Sequence, residues 1–417
     1  MQRTRTDRLA LILAIGTALF ACRSTPPVFP GPVPEQACTA SSPVTDSIFL
    51  IGDAGAPRLA RGASNELVDS VLLRLRAEVA ERVVELGAEH TLVLFLGDNL
   101  YPKGLPPEGS SRRAPAERVL EALIASVGPA QAYFVAGNHD WGKRGEKGWR
   151  RILEQRAFFE SYAPRIRTLP LAGCAGPDRV DVGRHLRLVF MDPIGWGHAA
   201  SAPEEHASTC DHGNDAREVG VALAREFARP EGRHTVLALH HPIVTAGPHG
   251  GDFTWKQHLF PLTDYTSWAW LPLPVLGSLY PMSRLLGATS SDLMSRPYLR
   301  FTRLFWRASR LGAPMLVVSG HEHNLQVHRD LTGLYYAVSG AGSIPKVNRV
   351  GRPATMMLGR AEPGFMRLDL FEEGALELSV HTIAEAEPVF RHCLATGPFR
   401  DPLVEDSATA FSPQHPR

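Results

Sequence analysis

Thr91-Leu92-Val93-Leu94-Phe95-Leu96-Gly97-Asp98-Asn99-Leu100-Tyr101 is the stretch whose reading decides the fold. Residues 91–96 are a continuous apolar run, the pattern of a strand buried on both faces of its sheet. Gly97-Asp98 ends that strand on a turn and delivers a carboxylate to the sheet edge where ligands of open α/β sheets bind. One strand ending in Gly-Asp is ordinarily just a turn. Its weight here comes from four other stretches with the same order: apolar strand, then Gly or His, then a side chain able to bind metal.

Upstream, Ser47–Ile51 leads into Gly52-Asp53-Ala54-Gly55, and Asn65–Leu86 carries Leu67, Val68, Val71, Leu72, Leu75, Val79 and Val83 at helical spacing. Downstream, Glu117–Val127 reads as a helix and Ala132–Ala136 as a strand ending in Gly137-Asn138-His139-Asp140. Strands alternating with helices predict βαβ units and a largely parallel sheet. Leu186–Met191 is a further strand, Ala216–Phe227 a helix, and His234–Leu239 a strand ending in His240-His241-Pro242. After a segment at about 250–312 without a clean period, Pro314–Ser319 is a strand ending in Gly320-His321-Glu322-His323. Shorter strands follow at Leu325–His328 and Leu334–Ser339. Phe365–Phe371 and Leu376–Thr382 are predicted to pair as a hairpin.

The 417 residues carry a net charge of +1. Residues 1–21 hold three Arg and one Asp, so the chain beyond them is about −1, with no charge signature of a nucleic-acid partner. Met1–Arg8 is basic, Leu9–Phe20 is apolar, and Leu19-Phe20-Ala21-Cys22 follows, which is the layout of an export signal too short to span a bilayer. The Cys after Leu-Phe-Ala resembles a lipobox, with residues 1–21 removed and membrane association through a lipid on Cys22; plain secretion is the second reading. The expectation is therefore an exported protein, lipid-anchored to a bacterial cell envelope, on its periplasmic face or outer membrane. Residues 22–45, rich in Pro, Ser and Thr, read as a tether, 46–400 as one domain, and 401–417 as a disordered tail. Cys38, Cys174, Cys210 and Cys393 remain for disulfides in an oxidising compartment. Three connectivities are possible. Cys38 and Cys393 flank the domain and Cys174 and Cys210 share a loop region, which favours those two pairs.

The strand ends supply Asp53, Asp98, Asn138, His240, His321 and His323. A mixed carboxylate, amide and imidazole set suits first-row metals, and six ligands exceed the need of one tetrahedral ion. Two ions about 3.5–4 Å apart, bridged by a carboxylate, is the economical reading.

Taken together, Asp53-x-Gly55, Gly97-Asp98-x-x-Tyr101, Gly137-Asn138-His139-Asp140, His240 with Pro242, and Gly320-His321-x-His323 resemble the calcineurin-like metallophosphoesterases, and Tyr101 resembles the purple acid phosphatases among them. The resemblance implies an α/β fold, a four-layer α/β/β/α sandwich of two mixed sheets. It implies Asp53, Tyr101 and His323 on Fe3+; Asn138, His240 and His321 on Fe2+, Zn2+ or Mn2+; and Asp98 bridging. His240 is preferred to His241 because the family's ligand precedes one residue and then Pro. His139 would face the substrate phosphate, and His249, nine residues past His240, would bind phosphate or protonate the leaving group. The implied activity is a dinuclear metal-dependent phosphoric ester hydrolase, an acid phosphatase-like phosphomonoesterase in which hydroxide formed at the metals attacks in line. A phosphodiesterase on the same core, and a non-catalytic envelope lipoprotein, are the alternatives. The partner would be a small-molecule phosphoester.

The remaining His residues, Asp192 and Gly340-Ala341-Gly342-Ser343 read as structural. The 250–312 segment departs from the compact family pattern. Its aromatic, Pro-interrupted stretch Trp268–Pro281 reads as a packed lid beside the site, with contact to a membrane or lipid-like substrate as the second reading.

Overall fold

The computed structural model describes residues 36–39, 41–60, 67–142, 145–194, 210, 215–228, 231–264, 266, 268–289 and 292–399. The signal segment, the first part of the tether and the C-terminal tail read from the sequence lie outside these residues. So does the lipid site at Cys22.

Among the described residues two seven-stranded sheets form the centre. The first runs β14 (Phe390–Ala395), β13 (Leu376–Thr382), β12 (Gly364–Phe371), β1 (Val44–Ile51), β2 (Thr91–Leu96), β3 (Gln131–Val135), β4 (Ile166–Thr168). β1 to β4 are parallel, and β12 to β14 add to them antiparallel. The second runs β11 (Met356–Arg360), β9 (Leu325–Arg329), β10 (Tyr335–Ser339), β8 (Leu316–Ser319), β7 (His234–Ala238), β6 (Leu186–Phe190), β5 (Asp178–Val182). Its inner pairs are parallel and its edges antiparallel, so both sheets are mixed, as expected.

Alternation along each strand builds the layers. Ile48 and Leu50 of β1 and Leu92, Leu94 and Leu96 of β2 face the second sheet, meeting Leu188, Phe190, Val236 and Val318. Phe49, Ile51, Val93 and Phe95 face helices α1 (Ser70–Leu86) and α2 (Arg113–Val127). On the far side, Val189, Leu237 and Val317 pack under α5 (Ala216–Ala228) and α8 (Arg296–Ala308). The order is helix, sheet, sheet, helix. Full burial of a side chain such as Leu94, which is 0% exposed, contributes about 1.5–3 kcal/mol.

Register places the strand ends level. Ile51 pairs with Phe95, Leu96 with Val135, Phe190 with Ala238, and Ala238 with Val318. Every turn quoted above therefore leaves its sheet at one common edge. Trp141 Nε1 donates to Asp192 Oδ2 at 2.8 Å, and Asp192 Oδ1 accepts from the Ile194 amide at 2.9 Å, so Asp192 caps a turn.

The structure differs from the sequence reading in places. α1 starts at Ser70 rather than Asn65, because the Asp69 carboxylate accepts the Val71 and Leu72 amides while Leu67 bridges to Leu59. The tether expectation through residue 45 is narrowed: Gln36 bridges to His392, Cys38 is bonded to Cys393, and β1 begins at Val44. Cys174 is bonded to Cys210, so the favoured pairing is the one present. The segment without a clean period contains α6 (Trp255–Leu259), α7 (Leu279–Leu285) and the amphipathic α8.

Candidate metal centre

Asp53, Asp98 and His321 have φ of 56°, 53° and 69°, the left-handed region that costs a non-glycine residue about 1–3 kcal/mol. Mutual hydrogen bonds hold them there. The Asp53 amide donates to the Gly97 carbonyl at 2.9 Å, and the Gly55 amide to the Asp98 carbonyl at 3.0 Å. The His321 amide donates to Asp53 Oδ2 at 2.6 Å, and the His139 amide to Asp98 Oδ1 at 2.8 Å. The turns are thus interlocked within and between the sheets. Gly97 is required twice: its φ is +89°, and a Cβ would lie 2.4 Å from His240 Nδ1.

The side chains these turns deliver form two adjoining groups. In the first, Tyr101 Oη lies 2.9 Å from Asp53 Oδ1, 3.1 Å from Asp98 Oδ2 and 3.2 Å from His323 Nε2. In the second, His240 Nε2 lies 3.1 Å from Asn138 Oδ1, 3.2 Å from His321 Nδ1 and 3.4 Å from Asp98 Oδ1. Asp98 is common to both. His240 Nδ1 is 2.8 Å from the Leu96 carbonyl, which only accepts. A neutral His240 therefore turns the Nε2 lone pair toward the carboxylate oxygen of Asp98. Acceptors facing acceptors is the chemistry of a cation site, and these residues fit metal ions. His240, His241 and His321 also lie close enough to share an ion, as do Asp53, Asp98 and His240. His240 belongs to both sets and reaches the carboxylate; His241 packs its ring 4.0 Å from that of His321 and 5.5 Å from Tyr298.

Electrostatics reports the same crowding. Burial would raise the Asp98 pKa, but the imidazoles of His240 and His139 and the His139 amide hold it well below the usual carboxylate range. Burial would lower that of His240, and the Asp98 charge instead pushes it up to about 9. Burial and then the charges of Asp53 and Asp98 hold the Tyr101 phenol well above its ordinary value. Only a cation among these oxygens reverses that preference.

The two remaining predicted residues sit at the rim. His139 Nδ1 is 2.8 Å from the Pro102 carbonyl, which leaves Nε2 on the open side, 3.9 Å from Asp98 Oδ2. His249 stacks 4.2 Å from the His321 ring, with Nδ1 3.0 Å from Asp292 Oδ1. All nine sequence-predicted site residues are brought to this one edge.

Several supporting residues carried no assigned role in the sequence. Asp140 accepts from the Asn99 amide (3.1 Å), the Gly137 amide (2.7 Å) and Gln155 Nε2 (3.1 Å), fixing the turns that carry Asp98 and Asn138. Burial and the Asp98 charge push its pKa up to about 7. Glu322 accepts the His249 amide at 2.7 Å. Arg284 Nε donates to Asp292 Oδ2 at 2.9 Å, and Nη2 lies 3.1 Å from His249 Nδ1. The first two stand inside the quoted motifs; Arg284 and Asp292 lie in the aperiodic segment, where no spacing points to them. The Gly340–Ser343 turn spends its amides on Asn324, Gly52 and Asp53 carbonyls, so it is structural.

The calcineurin-like phosphoesterase family model matches residues 48–271. A cAMP/cGMP dual specificity phosphodiesterase of Mycobacterium tuberculosis is 30% identical over 168 residues, 40% of this chain and 41% of that protein, so the match spans less than half of the relative's length. Among solved structures, GAP50, the anchor in the inner membrane complex of Plasmodium, is similar with a TM-score of 0.50 at 14% identity, over 85% of this chain and 89% of that one. A purple acid phosphatase from yellow lupin seeds has a TM-score of 0.49 at 13% identity, over 87% and 55%, a fit too loose to argue from. At such identity the GAP50 likeness speaks for the fold alone.

Gly97→Ala should displace His240 and lower the metal bound per chain at least about tenfold, read by elemental analysis after equilibration with Zn2+, with the far-ultraviolet spectrum unchanged. Full metal content in that variant would contradict the close packing described.

Proposed function

The chain belongs to the calcineurin-like phosphoesterase family, and we propose that within it the protein is a dinuclear phosphoric ester hydrolase of the acid phosphatase-like, phosphomonoester type. The observation that carries this reading is the pair of donor groups sharing Asp98. Asp53, Tyr101 and His323 would hold Fe3+, Asn138, His240 and His321 would hold Fe2+, Zn2+ or Mn2+, and Asp98 would serve both. Bound there, the ions supply Lewis-acid neutralisation of phosphoryl charge and acidify water, so that hydrolysis runs at or below neutral pH.

The chain's own residues do the rest. His139 would donate from Nε2 to a phosphoryl oxygen, because Nδ1 is engaged by the Pro102 carbonyl. His249, turned by Asp292, would hold a proton at Nε2 for the departing alkoxide as the bond between phosphorus and the ester oxygen breaks and water oxygen bonds to phosphorus. Asp292 and Arg284 position that ring.

Tyr101 supports the iron-using monoesterase. The phosphodiesterase relative supports a second reading, in which the same core cleaves diesters. Export and lipid anchorage at Cys22 rest on the N-terminal sequence, and the two disulfides accord with an oxidising compartment.

p-Nitrophenyl phosphate should be hydrolysed much faster than bis(p-nitrophenyl) phosphate, and iron-loaded protein should show a visible phenolate-to-Fe3+ band that Tyr101→Phe abolishes. The opposite ranking selects the diesterase. Asp292→Asn should lower kcat about 10- to 100-fold with KM changed little, measured on p-nitrophenyl phosphate; equal losses in Tm and metal content would make its role structural. Palmitate fed to expressing bacteria should label the protein and fail to label Cys22→Ser; label in neither excludes the anchor.

A further inference from the structure

More than half of the exposed large hydrophobic side chains among the described residues lie between Trp255 and Met294. Trp255, Trp268 and Trp270 are 72%, 81% and 54% exposed, and Val275 and Leu286 are 82% and 81% exposed. Apolar exposure concentrated in this way marks a binding surface rather than ordinary solvent-facing scatter. The side chains are displayed on a fixed frame. Thr254 and Gln257 cap α6, Lys256 Nζ lies 4.1 Å over the Trp270 ring, and Phe260 packs against Trp255 and Trp270 with centroids 6.4 and 5.4 Å away. The Leu273 amide donates to the Leu259 carbonyl at 2.7 Å. Val275, with φ of 68°, holds a conformation that a β-branched residue avoids, and its side chain points to solvent, so burial within this chain does not offset the strain.

The same segment is basic. α8 buries Tyr298, Phe301, Leu304, Phe305 and Ala308, which leaves Arg296, Arg300, Arg303 and Arg307 exposed on its other face, with exposed Arg310 just beyond. None of the five pairs with a carboxylate among the described residues, and the sequence from 293 to 321 has no Asp or Glu. Exposed Trp and branched aliphatic side chains in one segment with unpaired Arg are the composition of segments that lie in a membrane interface. A polyanion such as nucleic acid would satisfy the Arg row but leave the apolar surface in water. No helix among the described residues is long and apolar enough to cross a membrane, so the contact would be superficial.

We propose that the described residues between Phe253 and Arg310 dock the protein onto an anionic lipid bilayer, with Trp255, Trp268, Trp270, Val275 and Leu286 entering the boundary between head groups and acyl chains and the Arg row adding attraction to the head groups. The surface adjoins the metal centre, since Arg284 and Asp292, which hold His249, belong to the same segment. The docking does not depend on which ester the site cleaves, nor on a lipid at Cys22.

The test uses the full chain carrying Cys22→Ser, floated with vesicles of phosphatidylcholine alone or mixed with phosphatidylglycerol. Partitioning should rise at least about tenfold with phosphatidylglycerol and fall at high salt. Trp255→Ser, Trp268→Ser and Trp270→Ser together should lower it about tenfold and remove the blue shift of tryptophan emission on binding. Arg296→Gln, Arg300→Gln, Arg303→Gln, Arg307→Gln and Arg310→Gln together should reduce binding to the phosphatidylcholine level. Far-ultraviolet spectra confirm that both variants are folded. Failure of the unmodified surface to float with either vesicle overturns the proposal. So does undiminished binding by the triple Trp variant. Light scattering that finds a dimer lost in the Trp variant, without vesicle binding, would assign the surface to a second copy instead.

Discussion

The Asp98 carboxylate is 1% exposed and is engaged from both sheets: by the His139 amide and Tyr101 on its own sheet's side, and by His240 from the other. A buried carboxylate so placed is costly unless opposite charge surrounds it. The rest of the edge can be understood as the structure that makes this placement possible. Gly97 and Gly137 remove the two Cβ atoms that would collide with His240 and with Asp98 itself. The level strand ends bring Asp53, Asp98 and Asn138 from one sheet to His240, His321 and His323 from the other. The inter-sheet core fixes the distance between them.

The central strands were legible because they are buried on both faces, and a six-residue apolar run such as Thr91–Leu96 has few other solutions in an α/β chain. The site residues were legible because each follows such a run at short, fixed spacing. β4, β5, β11 and β14 were not read: they are the edge strands of the two sheets, three to six residues long, and β4, β5 and β11 carry exposed positions that weaken their apolar pattern. α8 did carry a helical signal, with Tyr298, Phe301, Leu304, Phe305 and Ala308 on one face, Arg296, Arg300, Arg303 and Arg307 on the other and Pro297 in the first turn. Arg284 and Asp292 could not be found from spacing at all. Their partner His249 is 35 and 43 residues away, so only the folded path of the segment brings them together.

The aperiodic segment therefore has more than one physical task. Its inner side buries Asp292 and holds a ring at the rim of the metal centre. Its outer side shows Trp, Leu and Met to solvent. A lid whose only task was to cover the site would gain by burying them. Keeping them outside is a standing cost in solubility, which selection tolerates where the surface meets something apolar.

The three left-handed residues at the metal centre show what kind of site this is. Asp53, Asp98 and His321 each hold a backbone conformation that an L-residue disfavours, and each is a candidate ligand. A relaxed turn would point these side chains elsewhere. The interlocking amide bonds keep them fixed before any ion arrives, so binding does not have to order the ligands as well. A change one residue away, at Gly97, would act directly on a His in the other sheet, because the added Cβ would lie 2.4 Å from His240 Nδ1. The site is rigid because its ligands sit on turns that hydrogen-bond one another, and the strain those turns carry is offset by bonds that no single loop could make alone.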